Sequence, residues 1–381
     1  MTGISQRSAP ASGTIDRGGP HLLSYFDAKT RIIGSVAVAA SVAALLLRLG
    51  GAPGVAVFVV SAIGLAGLAA LVGVGTEQLS HRLGPKATGV LQSGLGNLPE
   101  FFIGVFALRA GLLDVVRAAL VGSILANTLL VLGLAFVAGG LRHGTQKFGT
   151  DQTKMMAMLL VLAAAAIAIP TIATSAGGPD YGHDVELSVV VAIVLLVVFA
   201  ASVPFAIGKG SSGAATATAE SGAPAWPLPL AATTLIIAAV AAAFVSDWFV
   251  EALKPAMSSL GMSESFAGLV VVAIAGNAVE NVVGVQAMLA DKADLAISVI
   301  LNSSLQVALA LAPILVLASL VMGGATLTLV VSPLLVAALT LTALLAALVV
   351  IDGESTWLEG VALIGLYVIL AASVWWGPPI G

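Results

Sequence analysis

One five-residue motif occurs twice in this sequence, each time inside a long apolar run. Gly-Asn-x-x-Glu occupies Gly96–Glu100 and returns at Gly276–Glu280, and we call the difference in residue number between the two copies the repeat spacing. Further residues match at the repeat spacing without a gap, namely Gly104/Gly284, Ala107/Ala287, Asp114/Asp294, Ser123/Ser303, Leu125/Leu305 and Leu129/Leu309. A carboxylate in the middle of a membrane span costs roughly 2.5–3.5 kcal/mol on insertion scales and by default marks a functional site. We therefore interpret the chain as an internal duplication with one functional glutamate in each copy.

The composition is that of an integral membrane protein. Of the 381 residues, 59% are apolar and only 9% are charged, with a mean hydropathy of +1.10, whereas soluble domains contain about 25% charged residues. The net charge of −4 is too small to indicate a partner, and we find no basic patch for nucleic acid. The chain has no cysteine, and its four histidines lie outside or at the edges of apolar runs. A buried thiolate or histidine metal site is therefore not expected.

About eleven segments have the roughly 20 apolar residues that a spanning helix needs. They are 31–48, 52–75, 86–109, 113–138, 155–174, 185–207, 228–250, 265–290, 293–320, 325–350 and 357–376. The predicted fold is thus an all-α membrane protein. Residues 1–29 are polar and rich in Ser, Gly and Pro, which predicts a disordered cytoplasmic tail. Residues 30–50 then form an extra N-terminal span.

The distribution of Lys and Arg predicts the orientation. With the N-terminus in the cytoplasm, three basic residues, Arg48, Arg109 and Lys254, lie outside, and Arg117 lies within a span. The inside segments hold the other eleven, which are Arg7, Arg17, Lys29, Arg31, Arg82, Lys86, Arg142, Lys147, Lys154, Lys209 and Lys292. We therefore expect a multi-pass protein of the cell membrane with a cytoplasmic N-terminus and an external C-terminus.

A linker divides the remaining ten spans into two groups of five. Residues 209–227 are rich in Gly, Ser, Ala and Thr, as flexible linkers are, and should lie in the cytoplasm. Because five is odd, the second group (228–381) must cross the membrane upside down relative to the first (51–208). Such inverted repeats are common in secondary transporters, which bind their substrate near the midplane where the repeats meet.

The two motifs can supply oxygen ligands to a cation. Residues three apart share a helix face, so Asn97 projects with Glu100, and Asn277 projects with Glu280. Pro99 should kink the first motif helix and free a carbonyl near the site. The following spans add small polar groups, which are Ser123, Asn127, Asn302, Ser303, Ser304 and Gln306. Such hard ligands suit Ca²⁺, Mg²⁺, Mn²⁺ or Na⁺ better than Zn²⁺ or Cu²⁺, with Glu100 and Glu280 as the central metal ligands.

Two facing carboxylates favour exchange of a cation for protons. When the pair is empty and ionised, two desolvated like charges repel each other. Either a bound divalent cation or two protons would neutralise them, so metal and proton compete for the same oxygens. For the amide and hydroxyl residues around the two glutamates, helix packing is a real alternative to cation binding, because small and amide side chains also line helix interfaces. For Asp114 and Asp294 we favour a charge at a helix N-terminus over a role in the site.

The same residues resemble the cation/calcium exchanger superfamily, on its calcium/proton antiporter branch. The resemblance extends from about residue 30 to 376 and is most specific in Gly96–Arg109, Gly122–Gly133, Leu260–Glu264, Gly276–Glu280, Asn302–Gln306 and Asp352–Gly360. It implies eleven spans, two inverted repeats of five, and Glu100 and Glu280 as cation ligands. It also implies flanking amide and hydroxyl ligands at Asn97, Asn277, Ser123, Ser303 and Gln306.

Three positions depart from the branch and keep a second hypothesis open. Asn281 stands where the branch has His after the second Glu, and Asn302 stands where it has Gly. Leu98-Pro99-Glu100 is similar to the motif of sodium-coupled relatives. Export of Ca²⁺ in exchange for H⁺ is our first hypothesis, and Na⁺-coupled cation exchange or Na⁺/H⁺ antiport is the alternative.

Other function classes fit the sequence poorly. We find no phosphate loop and no His-Glu-x-x-His, so neither a nucleotide-driven pump nor a metalloprotease is indicated. An aspartyl protease would need paired Asp, and a channel would be expected to be symmetric about a pore. We expect no enzyme activity and no cofactor, with inorganic cations and the lipid bilayer as the partners.

Overall fold

A computed structural model of the protein describes residues 25–175, 178–208 and 226–375. The side chains of 80–94, 204–208 and residue 279 are not described. Most of the predicted tail (1–29) and most of the predicted linker (209–227) therefore lie outside the described residues.

The described chain is almost entirely helical. Its helices are α1 (Ala28–Leu49), α2 (Gly54–Leu95), α3 (Leu98–Arg109), α4 (Leu113–His143), α5 (Thr150–Ala173), α6 (Asp184–Gly208), α7 (Leu228–Leu260), α8 (Glu264–Gly276), α9 (Ala278–Leu289), α10 (Ala293–Met322), α11 (Pro333–Val349) and α12 (Trp357–Trp375). Among the described residues, eight helices are long and apolar enough to cross a membrane, or nine if α8 and α9 form one bent span. The chain is thus a multi-pass membrane protein.

Two predicted span limits differ from the structure. Residues 76–85, which we expected to connect two spans, are helical and belong to α2. The predicted span 325–350 is helical only over α11, which has 17 residues. It is preceded by an extended segment, because Ser332 caps the helix N-terminus and Pro333 follows it. Hydropathy gave no indication of this boundary, since the extended segment is apolar as well.

Both motif helices break at the asparagine of the motif. The backbone of Asn97 has φ −101° and ψ 23°, and that of Asn277 has φ −92° and ψ 21°. The helices that follow, α3 and α9, have 12 residues each, and their first residues are related by the repeat spacing. Because Ala278 and Val279 follow the second break, where the first has Leu98 and Pro99, proline is not required for it.

The central helices α4 and α10 share a second irregularity. Each contains one π-helical turn, at Ala126–Val131 and Val307–Leu311 respectively. These two helices form the middle of the bundle, because 83% of the residues in the most apolar window of α4 and 67% in α10 are buried, against 11% in α1. The π turns therefore lie at the centre of the protein, where such turns often mark functional sites.

Glycine allows the two sequence halves to approach closely at α4 and α8. A Cβ added to Gly122 would lie 2.4 Å from the Cα of Leu269, and one added to Gly268 would lie 2.4 Å from the carbonyl oxygen of Val115. Real Cβ atoms do not come so close to backbone, so a larger residue at either position would push α4 and α8 apart. On the outside of the bundle, α1 packs along α2, and α2 packs along α7.

Two extended segments follow the central helices, and we call them straps. The first strap is residues 144–149, after α4, and the second strap is residues 323–332, after α10. The first strap contains strand β1 (Gln146–Lys147), which pairs antiparallel with β2 (Glu354–Ser355) between α11 and α12. Each strap begins with glycine at positive φ, including Gly144 at 77° and Gly324 at 109°, a pair that is again related by the repeat spacing.

Candidate functional site

The helix breaks place both motif glutamates in the first turn of a short helix. Glu100 lies in the first turn of α3, and Glu280 lies in the first turn of α9. The unpaired N–H groups at a helix N-terminus give it a partial positive charge. Each break therefore supplies, inside an apolar bundle, a position that favours a negative side chain.

Glu100 is held on one oxygen and free on the other. Its Oε1 accepts hydrogen bonds from Ser123 Oγ at 3.0 Å and from Asn277 Nδ2 at 2.7 Å. Its Oε2 is buried and has no hydrogen-bond partner among the described residues. The side chain lies directly over Gly276, where an added Cβ would meet Glu100 Cγ at 2.6 Å. A carboxylate of the first motif is thus fixed by the second motif, with one acceptor oxygen left over.

A second layer of hydrogen bonds fixes Asn277. Asn127, in the π turn of α4, donates from Nδ2 to Asn277 Oδ1 at 2.8 Å and to Ser303 Oγ at 3.0 Å. Asn277 Nδ2 also donates to the carbonyl oxygen of Ala273 at 2.8 Å. Asn127 Oδ1 is buried and, within the described chain, has no partner. The network thus joins both halves of the sequence and leaves a second buried acceptor oxygen, Asn127 Oδ1, without a partner among the described residues.

A third contact links the first motif to α10. Asn97 Nδ2 donates to Gln306 Oε1 at 3.3 Å, and Gln306 is the last residue before the π turn of α10. A cavity of about 30 Å³, lined mostly by apolar residues of α3, α4 and α10, adjoins Glu100. Six of the predicted amide and hydroxyl residues therefore fall into two hydrogen-bonded groups, one that holds Glu100 through Ser123 and Asn277 and one formed by Asn97 and Gln306.

Glu280 lies beside this network rather than within it. Glu280 is half-buried as a residue, and its carboxylate interacts electrostatically with that of Glu100. The hydrogen bonds described above reach Glu100 and not Glu280. Next to it, Asn281 has a buried Oδ1 with no partner among the described residues. The two motif glutamates are neighbours, but a shared cage remains a prediction.

Two of the predicted ligands, Ser304 and Asn302, take no part in the hydrogen bonds described above. Ser304 is buried, and its hydroxyl donates to the carbonyl oxygen of Ile300 on its own helix at 3.3 Å. Asn302 is half-buried and lies outside the network described above. The sequence did not predict the π turns of α4 and α10, nor the third one at Ala267–Val272 in α8. It also did not predict that Asn127 would be the residue that positions Asn277.

The chemistry of the site is that of hard oxygen donors. The free acceptors include a carboxylate oxygen of Glu100 and the amide oxygens of Asn127 and Asn281, and the hydroxyls of Ser123 and Ser303 belong to the same hydrogen-bonded network as Glu100 and Asn127. Alkaline-earth cations prefer carboxylate, amide and hydroxyl oxygens. Over the described residues, we find no group of three or more His, Cys, Asp or Glu side chains that could hold a metal ion. The residues near Glu100 therefore supply oxygens of the kind that alkaline-earth cations prefer.

Comparisons with known proteins agree over nearly the whole chain. A family model described as sodium/calcium exchanger protein matches residues 53–208 and 230–376. The Ca(2+)/H(+) antiporter ChaA of Bacillus subtilis (strain 168) is 32% identical over 324 residues, which cover 84% of this chain and 92% of that protein. The Ca(2+)/H(+) antiporter of Synechocystis is 33% identical over 347 residues, which cover 85% and 92%.

Solved structures give the same result for the fold. Native YfkE superposes with a TM-score of 0.78 at 29% identity, covering 90% of this chain and 99% of that one. The H+/Ca2+ exchanger CAX superposes with a TM-score of 0.69 at 16% identity, covering 91% of this chain and 92% of that one, which is similarity of fold alone.

Proposed function

Because the chain belongs to the sodium/calcium exchanger protein family, we propose that it is a secondary transporter that exports Ca²⁺ from the cytoplasm in exchange for H⁺. The observation that supports this most is the buried network around Glu100, which leaves hard acceptor oxygens free in the centre of a multi-pass bundle. Relatives named Ca(2+)/H(+) antiporters match more than four fifths of the chain. In this proposal the protein is not an enzyme, Ca²⁺ and H⁺ are its substrates, and it needs no cofactor.

In the proposed mechanism, Glu100 and Glu280 bind Ca²⁺ and protons alternately. Ser123 and Asn277 hold Glu100 Oε1, so Oε2 is the oxygen available to a cation or a proton. Glu280 is close enough for the two charges to interact, and a pair of ionised carboxylates in an apolar bundle needs a counter-charge. Departure of Ca²⁺ therefore favours the arrival of protons, and arrival of Ca²⁺ favours their release.

The other proposed ligands differ in how directly the contacts support them. One hydrogen-bonded network joins Glu100 to four of them, which are Ser123, Asn277, Asn127 and Ser303. Asn97 and Gln306 form a separate hydrogen-bonded pair. Asn302 and Ser304 stay in the proposed set as weaker members. Ser304 would first have to turn its hydroxyl away from Ile300. We therefore expect substitutions of Asn302 and Ser304 to have the smaller effects.

We also propose an inverted-repeat topology in the cell membrane, with eleven spans and a cytoplasmic N-terminus. The repeats would be 51–208 and 228–381, after the extra span 30–50. The helix breaks, the last residues of the π turns in α4 and α10, and two pairs of positive-φ positions (111/291 and 144/324) recur at the repeat spacing, which supports two similar units. Segments predicted to lie outside also contact each other, since Arg48 pairs with Glu251 at 2.7 Å and Lys254 donates to the carbonyl oxygen of Ala110.

Transport by inverted membrane vesicles tests the mechanism. With an acid-loaded interior and a pH-sensitive dye, added Ca²⁺ should drive proton release from vesicles that contain the native protein. Glu100→Gln and Glu280→Gln should each abolish this release while the protein still inserts in the membrane. Glu186→Gln is the matched control, because it makes the same chemical change on a side chain that is 71% exposed. Full-rate exchange by either Glu100→Gln or Glu280→Gln would refute the two-carboxylate mechanism.

The same vesicles can show whether H⁺ or Na⁺ is the coupling ion. We expect Ca²⁺ to move protons in the absence of Na⁺, and an imposed Na⁺ gradient alone to drive no Ca²⁺ uptake. If Ca²⁺ moved no protons while a Na⁺ gradient did drive Ca²⁺ uptake, the protein would be a sodium-coupled exchanger. Repeating the assay with Mn²⁺, Na⁺ and K⁺ would define its selectivity.

A further inference from the structure

Each strap follows the central helix of one half of the sequence and is bound by the other half. The first strap follows α4, and the second strap follows α10. The straps lie at opposite ends of the bundle, because the first strap continues from the C-terminal end of α4, whereas the second strap is bound by Arg117 in the N-terminal part of α4. The residues around Glu100 lie between these two ends.

The first strap is fastened to α9, α10 and the loop before α12. Gly149 N donates to Asp294 Oδ1 at 2.6 Å, and Gln146 Nε2 donates to Asp291 Oδ1 at 2.8 Å. The backbone N–H of Phe148 donates to the carbonyl oxygen of Gly353 at 2.9 Å. Asp291 and Asp294 therefore hold a segment of the first half with carboxylates of the second, and we call this pair the first clasp.

The second strap is fastened to α4, α5 and α6. Arg117 donates from Nε to the carbonyl oxygen of Thr328 at 3.1 Å and from its terminal nitrogen to Thr328 Oγ1 at 2.9 Å, while Asp114 pairs with the same guanidinium at 2.7 Å. The N–H groups of Leu329 and Val331 donate to the hydroxyls of Ser188 and Thr171, at 3.0 Å each. Asp114 and Arg117 form the second clasp.

The two clasps are related by the duplication. Asp114 and Asp294 are equivalent at the repeat spacing, and both act on the strap of the opposite half, Asp294 directly and Asp114 through Arg117. From sequence, both were expected only to place a charge at a helix N-terminus. Both straps also have buried apolar side chains, since Phe148 is 7% exposed and Leu329 is 4% exposed. Each strap is therefore packed into one end of the bundle by an apolar side chain.

We propose that the straps are the two gates of transport and that Asp291, Asp294, Asp114 and Arg117 are positioning residues that hold them shut. The inference rests on the proposed function, because alternating access requires one end to open while the other stays closed. A hydrogen bond to a charged group is stronger than one between neutral groups, yet a few such bonds can still be released by thermal motion. Loosening one clasp should then open one end only.

The native chain has no cysteine, so single reporter cysteines can be read without background. Phe148→Cys reports on the first strap and Leu329→Cys reports on the second. Asp291→Gly loosens the first clasp without straining the backbone, because Asp291 has φ 58° and glycine occupies the equivalent position 111. Asp294→Ala is a second variant of the same clasp, and Arg117→Met loosens the second clasp. Asp151→Ala is the control, since it removes an exposed first-turn acid beside the first strap.

The rate at which a membrane-permeant maleimide labels each reporter cysteine measures how often that strap opens. The measurement does not depend on ion transport. Asp291→Gly and Asp294→Ala should raise the rate at Phe148→Cys roughly tenfold, the factor for one charge-assisted hydrogen bond, and should not raise it at Leu329→Cys. Arg117→Met should do the reverse, and Asp151→Ala should change neither rate. Faster labelling of both reporters in one variant, or of neither, would overturn the proposal. Such a result would leave the Ca²⁺/H⁺ exchange assay, and hence the proposed function, unaffected.

Discussion

At the scale of single residues, Glu100 shows how an apolar bundle can keep a reactive carboxylate. One of its oxygens is occupied by a hydroxyl and an amide, and the other is buried without a partner in the described part of the chain. A buried charged oxygen without a partner costs free energy that a cation or proton can recover on binding. The cost of the empty site is therefore part of the driving force for binding.

Gly276 provides the surface on which Glu100 lies, and Gly276→Ala should abolish exchange. The new methyl group would meet Glu100 Cγ at 2.6 Å and Oε1 at 2.9 Å, so the carboxylate would have to leave Ser123 and Asn277. Vesicle transport measures the effect. Gly365→Ala is the matched control, because a Cβ at that helical position would meet nothing within 4 Å. Normal exchange by Gly276→Ala would show that the position of Glu100 is unimportant.

Asn127 should matter for affinity although it contacts neither motif glutamate in the described network. In Asn127→Leu the volume is kept, but Ser303 Oγ loses its donor, and Asn277 Oδ1 keeps only the long hydrogen bond from Ser303 Oγ at 3.5 Å. An unpaired buried polar group costs about 1–3 kcal/mol, so the half-saturating Ca²⁺ concentration should rise about tenfold. Thr128→Val is the control, since that neighbouring buried hydroxyl bonds only to the carbonyl oxygen of Ile124. Equal effects of the two substitutions would contradict a specific role for Asn127.

The sequence was enough to predict most residues of the candidate site, but it did not predict which of them hydrogen-bond to each other. Asn97, Glu100, Ser123, Asn277 and Ser303 stand out because polar residues are rare in apolar runs and these recur at one spacing. Which of them bond to each other depends on helix rotation and on the π turns, and neither can be deduced from spacing. The same limit explains why Ser304 was predicted as a ligand although its hydroxyl bonds to its own helix.

At the scale of helices and turns, the irregular positions determine where the site forms. Helix breaks at the motif asparagines create two helix N-termini inside the bundle. The π turn of α4 contains Asn127, and that of α10 begins directly after Gln306. Hydropathy predicted these helices because their apolar composition is strong. It could not predict the breaks or the second strap, since residues 325–331 of that strap are as apolar as a span.

The crossing of α4 and α8 requires glycine, so Gly122→Ala should destabilise the fold. A Cβ at residue 122 would lie 2.4 Å from both the Cα and the carbonyl oxygen of Leu269, and backbone cannot move aside as a side chain can. Overpacking of this kind costs about 1–3 kcal/mol. Thermal unfolding in detergent should show a lower midpoint for Gly122→Ala. Gly34→Ala, where the nearest atom is a side-chain carbon at 3.9 Å, should leave the midpoint unchanged. An equal shift in both variants would contradict the argument.

At the scale of the whole molecule, the inverted arrangement of the two repeats can be tested directly with one matched pair of residues. Thr145 and Ala325 occupy equivalent positions in the two straps, related by the repeat spacing, and both are exposed. If the repeats are inverted, equivalent residues must lie on opposite sides of the membrane. In the cysteine-free chain, a membrane-impermeant maleimide added to intact cells should label Ala325→Cys and not Thr145→Cys, and inverted vesicles should give the opposite pattern. Labelling of both from one side would mean that the repeats are parallel, and a single midplane site shared by mirrored halves would then be impossible.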